Sequence, residues 1–185
     1  MPAVEPGRAP AGSTRARPTV LLAAAAVLLI ARIAIGIGEG RLPATMPDMV
    51  RWQPIEGAEA AAHAQGKPVL YDFTADWCAP CLVMQREVFA DPAAAAEIER
   101  LFVPVRVLDR QREEGRNPAA VDSLQRRYGV SSFPTLVVVP PAGDEPVNLV
   151  GYPGPTQLMG RLRAARMQAL LPAALRPPVR PAPTR

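Results

Sequence analysis

Residues 66–81 read GKPVLYDFTADWCAPC, and the order of residue types in that stretch decides the fold. Pro68–Thr74 is a short run of apolar and β-forming side chains around one acid, Asp72, the pattern of a buried central strand. From Cys78 onward the chain turns helical, with Leu82, Val83, Met84, Val88 and Phe89 giving a mostly apolar helix. Both cysteines of the chain, Cys78 and Cys81, stand at this strand-to-helix junction. Their spacing puts the two thiols on one helical turn, near enough to close a small disulfide ring. Unpaired amide N–H groups and the positive end of the helix dipole stabilise a thiolate there. Cys78 is therefore expected to be the exposed, thiolate-forming nucleophile, and Cys81, one turn inside, the resolving thiol.

Blander readings of the pair compete with this one. A zinc half-site also uses C-x-x-C, but zinc takes four ligands and the chain offers only His63 besides. A structural disulfide across three residues closes too small a loop to stabilise much. Two inert buried cysteines leave their place at a helix start unexplained. C-x-x-C alone is a weak signal; the preceding strand and the flanking Trp77 and Pro80 make it a strong one for redox chemistry. His63, alone in an alanine-rich helix, reads as incidental.

Working outward, a short helix is expected over Ile55–Gln65, ending at Gly66, and Asp91-Pro92 supplies an N-cap with proline at the first helical position. Phe102–Leu108 reads as a second strand. Asn117-Pro118 repeats the cap-plus-proline signal ahead of Val121, Leu124 and Tyr128, a helix closed by Gly129. Leu136–Val139 and Val147–Val150 read as the strands of a hairpin, and Pro155–Leu170 as an amphipathic helix with Leu158, Leu162, Ala165 and Ala169 on one face. The order α-β-α-α-β-α-β-β-α predicts an α/β fold, a central mixed sheet flanked by helices.

The front of the chain is different. Residues 19–38, TVLLAAAAVLLIARIAIGIG, are apolar with one charge, Arg32, placed where its side chain can snorkel to the interface. As a helix they span about 30 Å, the thickness of a bilayer core. A cleaved signal peptide is the alternative, since the uninterrupted run Val20–Ile30 is short, but no crisp small-x-small site follows. Arg8, Arg15 and Arg17 precede the segment and place the N-terminus in the cytoplasm by the positive-inside rule. The expected division is a cytoplasmic arm over 1–18, a transmembrane anchor over 19–38, a linker over 39–52, a folded domain over 53–171 and a disordered proline- and arginine-rich tail over 172–185. The domain would then face the periplasm or cell exterior, held to a bacterial inner membrane by one span. The net charge of +4 sits at the ends, +2 in the arm and +3 in the tail, leaving about −1 for the rest. A nucleic-acid-binding domain carries its basic footprint on the folded part, so that class is excluded.

Asp72-Phe73 leading into Trp77-Cys78-Ala79-Pro80-Cys81, Phe133-Pro134-Thr135 before a strand, and Gly151 closing the last hairpin, in that order, resemble the thioredoxin superfamily. The resemblance covers roughly Gln53 to Leu170. Within it, GKPVLYDFTADWCAPC followed by VFADP looks closest to the C-terminal periplasmic domain of DsbD-type transmembrane disulfide reductases. The resemblance implies exchange chemistry at Cys78 and Cys81 and support or substrate contact from Trp77, Ala79, Pro80 and Phe133. It implies a cis Pro134 against the dithiol, with the Thr135 side of that segment guiding substrate backbone. It also implies a buried Asp72 whose raised proton affinity lets it shuttle the Cys81 proton. No metal is implied, and no cofactor beyond the Cys78–Cys81 disulfide.

Two departures stand out. The family's lysine near the buried acid falls at Val105, leaving Asp72 without a cationic partner. The acid found one turn beyond the second cysteine in DsbD-type domains is Gln85. The loop Arg110–Asn117 is longer than in thioredoxin and reads as solvated. The function expected is reduction of oxidised proteins with electrons from a membrane donor. An oxidase or isomerase on the same dithiol, or a non-catalytic binding module using the Pro134 groove, are the other readings.

Overall fold

Central strands buried on both faces need a largely apolar run, and the run after Lys67 meets that demand except at Asp72. In the computed structural model, which describes residues 48–143 and 145–172 together with Val27 and Leu175, it forms β1 (Val69–Ala75). β1 pairs in parallel with β2 (Val103–Asp109) and antiparallel with β3 (Thr135–Val139), and β4 (Val147–Val150) pairs antiparallel with β3. The spatial order β2-β1-β3-β4 is a mixed four-stranded sheet with β1 inside it.

Helices cover both faces. Leu70, Leu136 and Val138 pack against Met84 and Val88, against Ile98 of α3 (Pro92–Leu101), and against Leu158 and Leu162 of α6 (Pro155–Leu170). Met84 ends α2 (Ala79–Met84), which runs on into a π-helical turn, Gln85–Phe89, that holds Val88. Tyr71 and Phe73, one residue out of phase with Leu70, face the other way. They meet Val105, Val107, α1 (Ala58–Gln65) and α5 (Ala119–Tyr128). Asp72 has the parity of Leu70 and so lies on the α2 side of the sheet, whereas Val105 lies on the α1 and α5 side.

The expected elements are present, with corrections at their edges. α1 begins at Ala58, after Gly57 at φ 82°, and not at Ile55. Asp91 caps α3, its Oδ1 accepting from Ala94 N at 2.7 Å. Asn117 does not cap α5. Its side chain accepts from Arg110 N at 2.6 Å and donates to Asp109 Oδ2 at 2.7 Å, tying the 110–117 loop to the end of β2. That loop contains a single helical turn, α4 (Gln111–Glu114), which periodicity could not register in four residues. The π turn was also unforeseen; Ala90 N bonds Gln85 O, five residues back.

Residues 48–52, read as the end of a linker, are packed onto the domain. Val50 is in the core at 4% exposure, Met49 N donates to Phe89 O at 2.9 Å, and Gln53 N donates to Pro104 O at 2.8 Å, beside the edge of β2. The signal for this was Val50 and Trp52, apolar side chains that a free linker leaves unburied. Among the described residues no helix is long and apolar enough to cross a membrane. The 19–38 segment, Val27 apart, lies outside the described residues, as do the 1–18 arm, residues 39–47 and all of the tail except Pro172 and Leu175.

The Asp91 cap gives a direct check on α3. Asp91→Ala leaves the Ala94 N–H without its side-chain acceptor, and is expected to lower stability by about 1 kcal/mol. In urea the unfolding midpoint should fall with an unchanged denaturant slope.

Candidate active site

The junction between β1 and α2 carries the chemistry because of where each backbone group points. Cys78 adopts an extended conformation and caps α2, and its carbonyl accepts from Cys81 N at 3.0 Å and Leu82 N at 3.1 Å. Cys78 and Cys81 are joined as a disulfide. Cys81 N also lies 3.3 Å from Cys78 Sγ, so an amide N–H is already aimed at the sulfur that becomes a thiolate on reduction.

The sulfurs are not exposed in this oxidised state. Cys78 is 2% and Cys81 3% accessible, enclosed with Ala75 and packed against Phe133. The expectation of an exposed Cys78 is thereby corrected: a ring from the neighbouring loop covers it. The rim is open instead. Trp77 is 46% accessible, and Ala79 and Pro80 are exposed. Trp77 meets Phe133 edge-on at 5.9 Å, and the Arg112 guanidinium sits 5.3 Å from the Trp77 ring centre. Arg110 pairs with Asp76 at 3.2 Å. The 110–117 loop thus borders the site.

The Phe133–Pro134 peptide is cis. Pro134 is buried, and its carbonyl accepts from Gly151 N at 2.8 Å, Gly151 having the left-handed φ of 80° that favours glycine. Thr135 belongs to β3, and its side chain turns inward. Its hydroxyl donates to Ser132 O at 2.8 Å and the residue is 2% accessible, so its side chain is not offered to a substrate.

Asp72 is 1% exposed on the face that α2 covers. Val105 is not its neighbour in charge or position, but Asp72 does have a cation. Arg106 is its register partner on β2, and Arg106 Nε donates to Asp72 Oδ2 at 3.2 Å. The one-residue offset matters because successive strand residues point to opposite faces. The other guanidinium nitrogens bind Gln85 Oε1, at 2.6 Å, and Asp48 Oδ2. Asp72 Oδ1 is buried with no hydrogen-bond partner among the described residues. Burial dominates the balance and raises the Asp72 pKa to about 6, against the pull of Arg106.

Sequence reading found Cys78, Cys81, Asp72, Trp77, Phe133 and Pro134, and missed Arg106, Asp48 and Arg112. Arg106 was visible as the one cation inside VPVRVLD, set between Val105 and Val107, which had to face the core. No local pattern marks Asp48. Among the described residues no group of His, Cys, Asp and Glu is arranged to hold a metal ion, and His63 is exposed on α1.

Comparison with known proteins fits this geometry. The model of a thioredoxin-like domain family matches residues 55–166. The chain is 32% identical over 133 residues, 71% of its length, to thiol:disulfide interchange protein DsbD 1 of Pseudomonas aeruginosa, and it spans 22% of that relative. A thioredoxin from Thermus thermophilus superposes with a TM-score of 0.55 at 31% identity, covering 65% of this chain and 90% of that one. A DsbH oxidoreductase superposes at 0.57 with 21% identity, covering 68% and 89%, a likeness of fold.

The raised pKa of Asp72 has a sign that can be measured. The folded state keeps a proton that the unfolded chain releases near its ordinary 3.8, so this group's contribution is complete below that pH. It is lost as pH rises through about 6. Asp72→Asn removes the cost of burying the charge, and is expected to raise stability at pH 7.5 by on the order of 2 kcal/mol and not at pH 3.5. Denaturant titrations at the two pH values check it; an equal change at both would contradict the assignment.

Proposed function

This chain belongs to the thioredoxin-like family and is a thiol–disulfide oxidoreductase, and from that premise we propose that it reduces protein disulfides outside the cytoplasm. The observation that carries the reading is the Cys78–Cys81 pair at the start of α2, the helix that covers the face of the sheet holding Asp72, a buried acid of raised proton affinity.

In the reduced state the Cys78 thiolate attacks one sulfur of a substrate disulfide. A mixed disulfide forms and the other substrate sulfur leaves as a thiolate. Cys81 then attacks Cys78 Sγ, releasing the second substrate thiolate and closing the Cys78–Cys81 disulfide. Two electrons pass to the substrate. Ionised Asp72 accepts the Cys81 proton, a transfer for which a pKa near the working pH is well matched. A dithiol on a membrane partner would return the two electrons and reopen the disulfide. Substrates approach over Trp77 and Phe133, and the cis-Pro134 segment offers its backbone to an extended peptide.

The reducing direction is supported by the Ala79-Pro80 dipeptide between the cysteines and by the likeness to proteins named for thiol:disulfide interchange. Anchoring through residues 19–38, with the domain in the periplasm, is supported by the length and apolarity of that run and the arginines before it.

With purified full-length chain, Cys78→Ser is expected to abolish disulfide turnover, and Cys81→Ser to accumulate mixed disulfides that dithiothreitol releases. No turnover by the unsubstituted chain, with peptide binding unchanged in Cys78→Ser, would leave only a binding module. Equilibration with glutathione should give a reduction potential close to the thioredoxin value of about −270 mV, whereas one close to about −120 mV would reverse the direction of flow. A C-terminal reporter active only outside the cytoplasm should be active.

A further inference from the structure

Arg106 serves two acids, and only one of them belongs to β1, the strand that leads into the dithiol. Its Nε bonds Asp72 Oδ2 on β1 at 3.2 Å, and Nη1 bonds Asp48 Oδ2 in the segment that leads into the domain. Nη2 is taken by Gln85 Oε1 at 2.6 Å, in the π turn that continues the helix of Cys81. The guanidinium is further fixed over the Trp52 ring, 4.2 Å from its centre, and Trp52 Nε1 donates to the same Asp48 oxygen at 2.7 Å. Phe89 closes the far side, 5.0 Å from Trp52 and perpendicular to it.

We propose that Asp48 is a positioning residue for the dithiol chemistry, holding the Arg106 guanidinium between two carboxylates so that the segment entering the domain governs the acid beneath the disulfide. The inference rests on Asp72 being the proton acceptor for Cys81. Its basis is charge balance. One cation faces two carboxylates, and Asp72 is the one with 1% exposure against 25% for Asp48. The acid that loses the competition for positive charge is the buried one, and its unpartnered Oδ1 is where a proton can sit.

Among the described residues the charges that act on Asp72 are Arg106 from β2 and Asp48 from the entering segment, and the π turn adds only neutral Gln85, on the same guanidinium. The β3 residue in register with Asp72 is Leu136. Asp48 contributes twice to keeping Asp72 protonated: by direct repulsion, which adds to the effect of burial, and by occupying one arm of the fork. With Asp48 neutral, one cation faces one carboxylate, and Asp72 is held ionised as a weaker base.

The docking of residues 48–53 is what keeps Asp48 in place. Val50 is buried in the core, Met49 N and Gln53 N make backbone bonds to Phe89 O and Pro104 O, and Arg51 Nε donates to Glu99 Oε2 at 2.9 Å. The first described residue of the domain therefore shares the cation of the active-site acid.

The test uses the full-length chain with ¹³C-carboxyl aspartate, the Asp72 signal being the one missing from Asp72→Asn. Asp48→Asn keeps an acceptor for Trp52 Nε1 and removes the charge. It is expected to move the Asp72 midpoint down by about half a pH unit, a roughly threefold fall in proton affinity, Asp48 being the smallest of the influences on it. The pH midpoint for Cys81-driven release of a mixed disulfide should move by the same amount, and Asp48→Glu should restore both. A loosened domain would slow release at every pH and leave its midpoint in place. An unmoved Asp72 midpoint in Asp48→Asn overturns the proposal, as does a moved carboxyl midpoint with an unmoved release profile. If Asp72→Asn itself leaves the release profile unchanged, the proton-acceptor reading of Asp72 fails. If it changes that profile while Asp48→Asn moves nothing, the role of Asp48 alone fails.

Discussion

A carboxylate in the middle of a central strand is a structural liability, and much of this domain is arranged around the one at Asp72. Water cannot reach it, so its charged form depends on a cation brought in from the neighbouring strand. Register supplies Arg106 directly opposite. Once Arg106 is committed, its remaining donors need acceptors and its flat face needs a ring. Gln85, Asp48 and Trp52 fill those places. The π turn sits in this same cluster, providing Gln85 at one end and Phe89 at the other. The entering segment and the helix of Cys81 are in this way fastened to the same guanidinium.

Above that layer the dithiol obeys the opposite requirement. Exchange needs sulfur to meet sulfur, yet both cysteines are enclosed while Trp77, Ala79 and Pro80 are open. The ring that covers them, Phe133, precedes a cis-proline and contacts the exposed Trp77 by its edge. An aromatic edge contact of this sort is worth about 1 kcal/mol. A substrate that offers its own apolar contact to Trp77 can replace it, so the cover is cheap to displace and still keeps the resting disulfide dry. Thr135, turned inward onto Ser132, fixes the backbone on the far side of the proline.

What could be read from the sequence divides along the range of the interactions. β1, α3 and α6 announced themselves through apolar runs, a proline-backed cap and a sixteen-residue amphipathic pattern. The dithiol was legible because its partners lie within a few residues on the chain. Arg106 was misplaced by one position, and in a strand one position is the difference between two faces of a sheet: Val105 packs with Tyr71, and Arg106 reaches Asp72. Asp48 was beyond reach for another reason. It meets Arg106 across 58 residues of sequence, and nothing local to a proline-rich stretch distinguishes a docked acid from a solvated one. Asn117 erred in the other direction, since a good capping residue was claimed by the longer-range needs of buried Asp109.

The relation between the two layers bears on how a common fold can be tuned without altering its cysteines. The sulfur chemistry is set close in, by the helix start and by an amide aimed at Cys78 Sγ. Those features follow from the turn itself, and any chain with this strand, turn and helix acquires them. The proton chemistry is set further out, by how much positive charge reaches the buried acid. That quantity depends on residues the turn does not constrain. Here one of them lies on the segment through which the domain is joined to whatever precedes it. A carboxylate sharing a cation is a graded control, because each fraction of the cation's field withdrawn from Asp72 favours its protonated form. Burial alone would keep that acid protonated, and Arg106 alone would keep it ionised. The midpoint near pH 6 arises because burial outweighs Arg106 without cancelling it, and a single acid at the edge of the domain that draws on Arg106 bears on that balance.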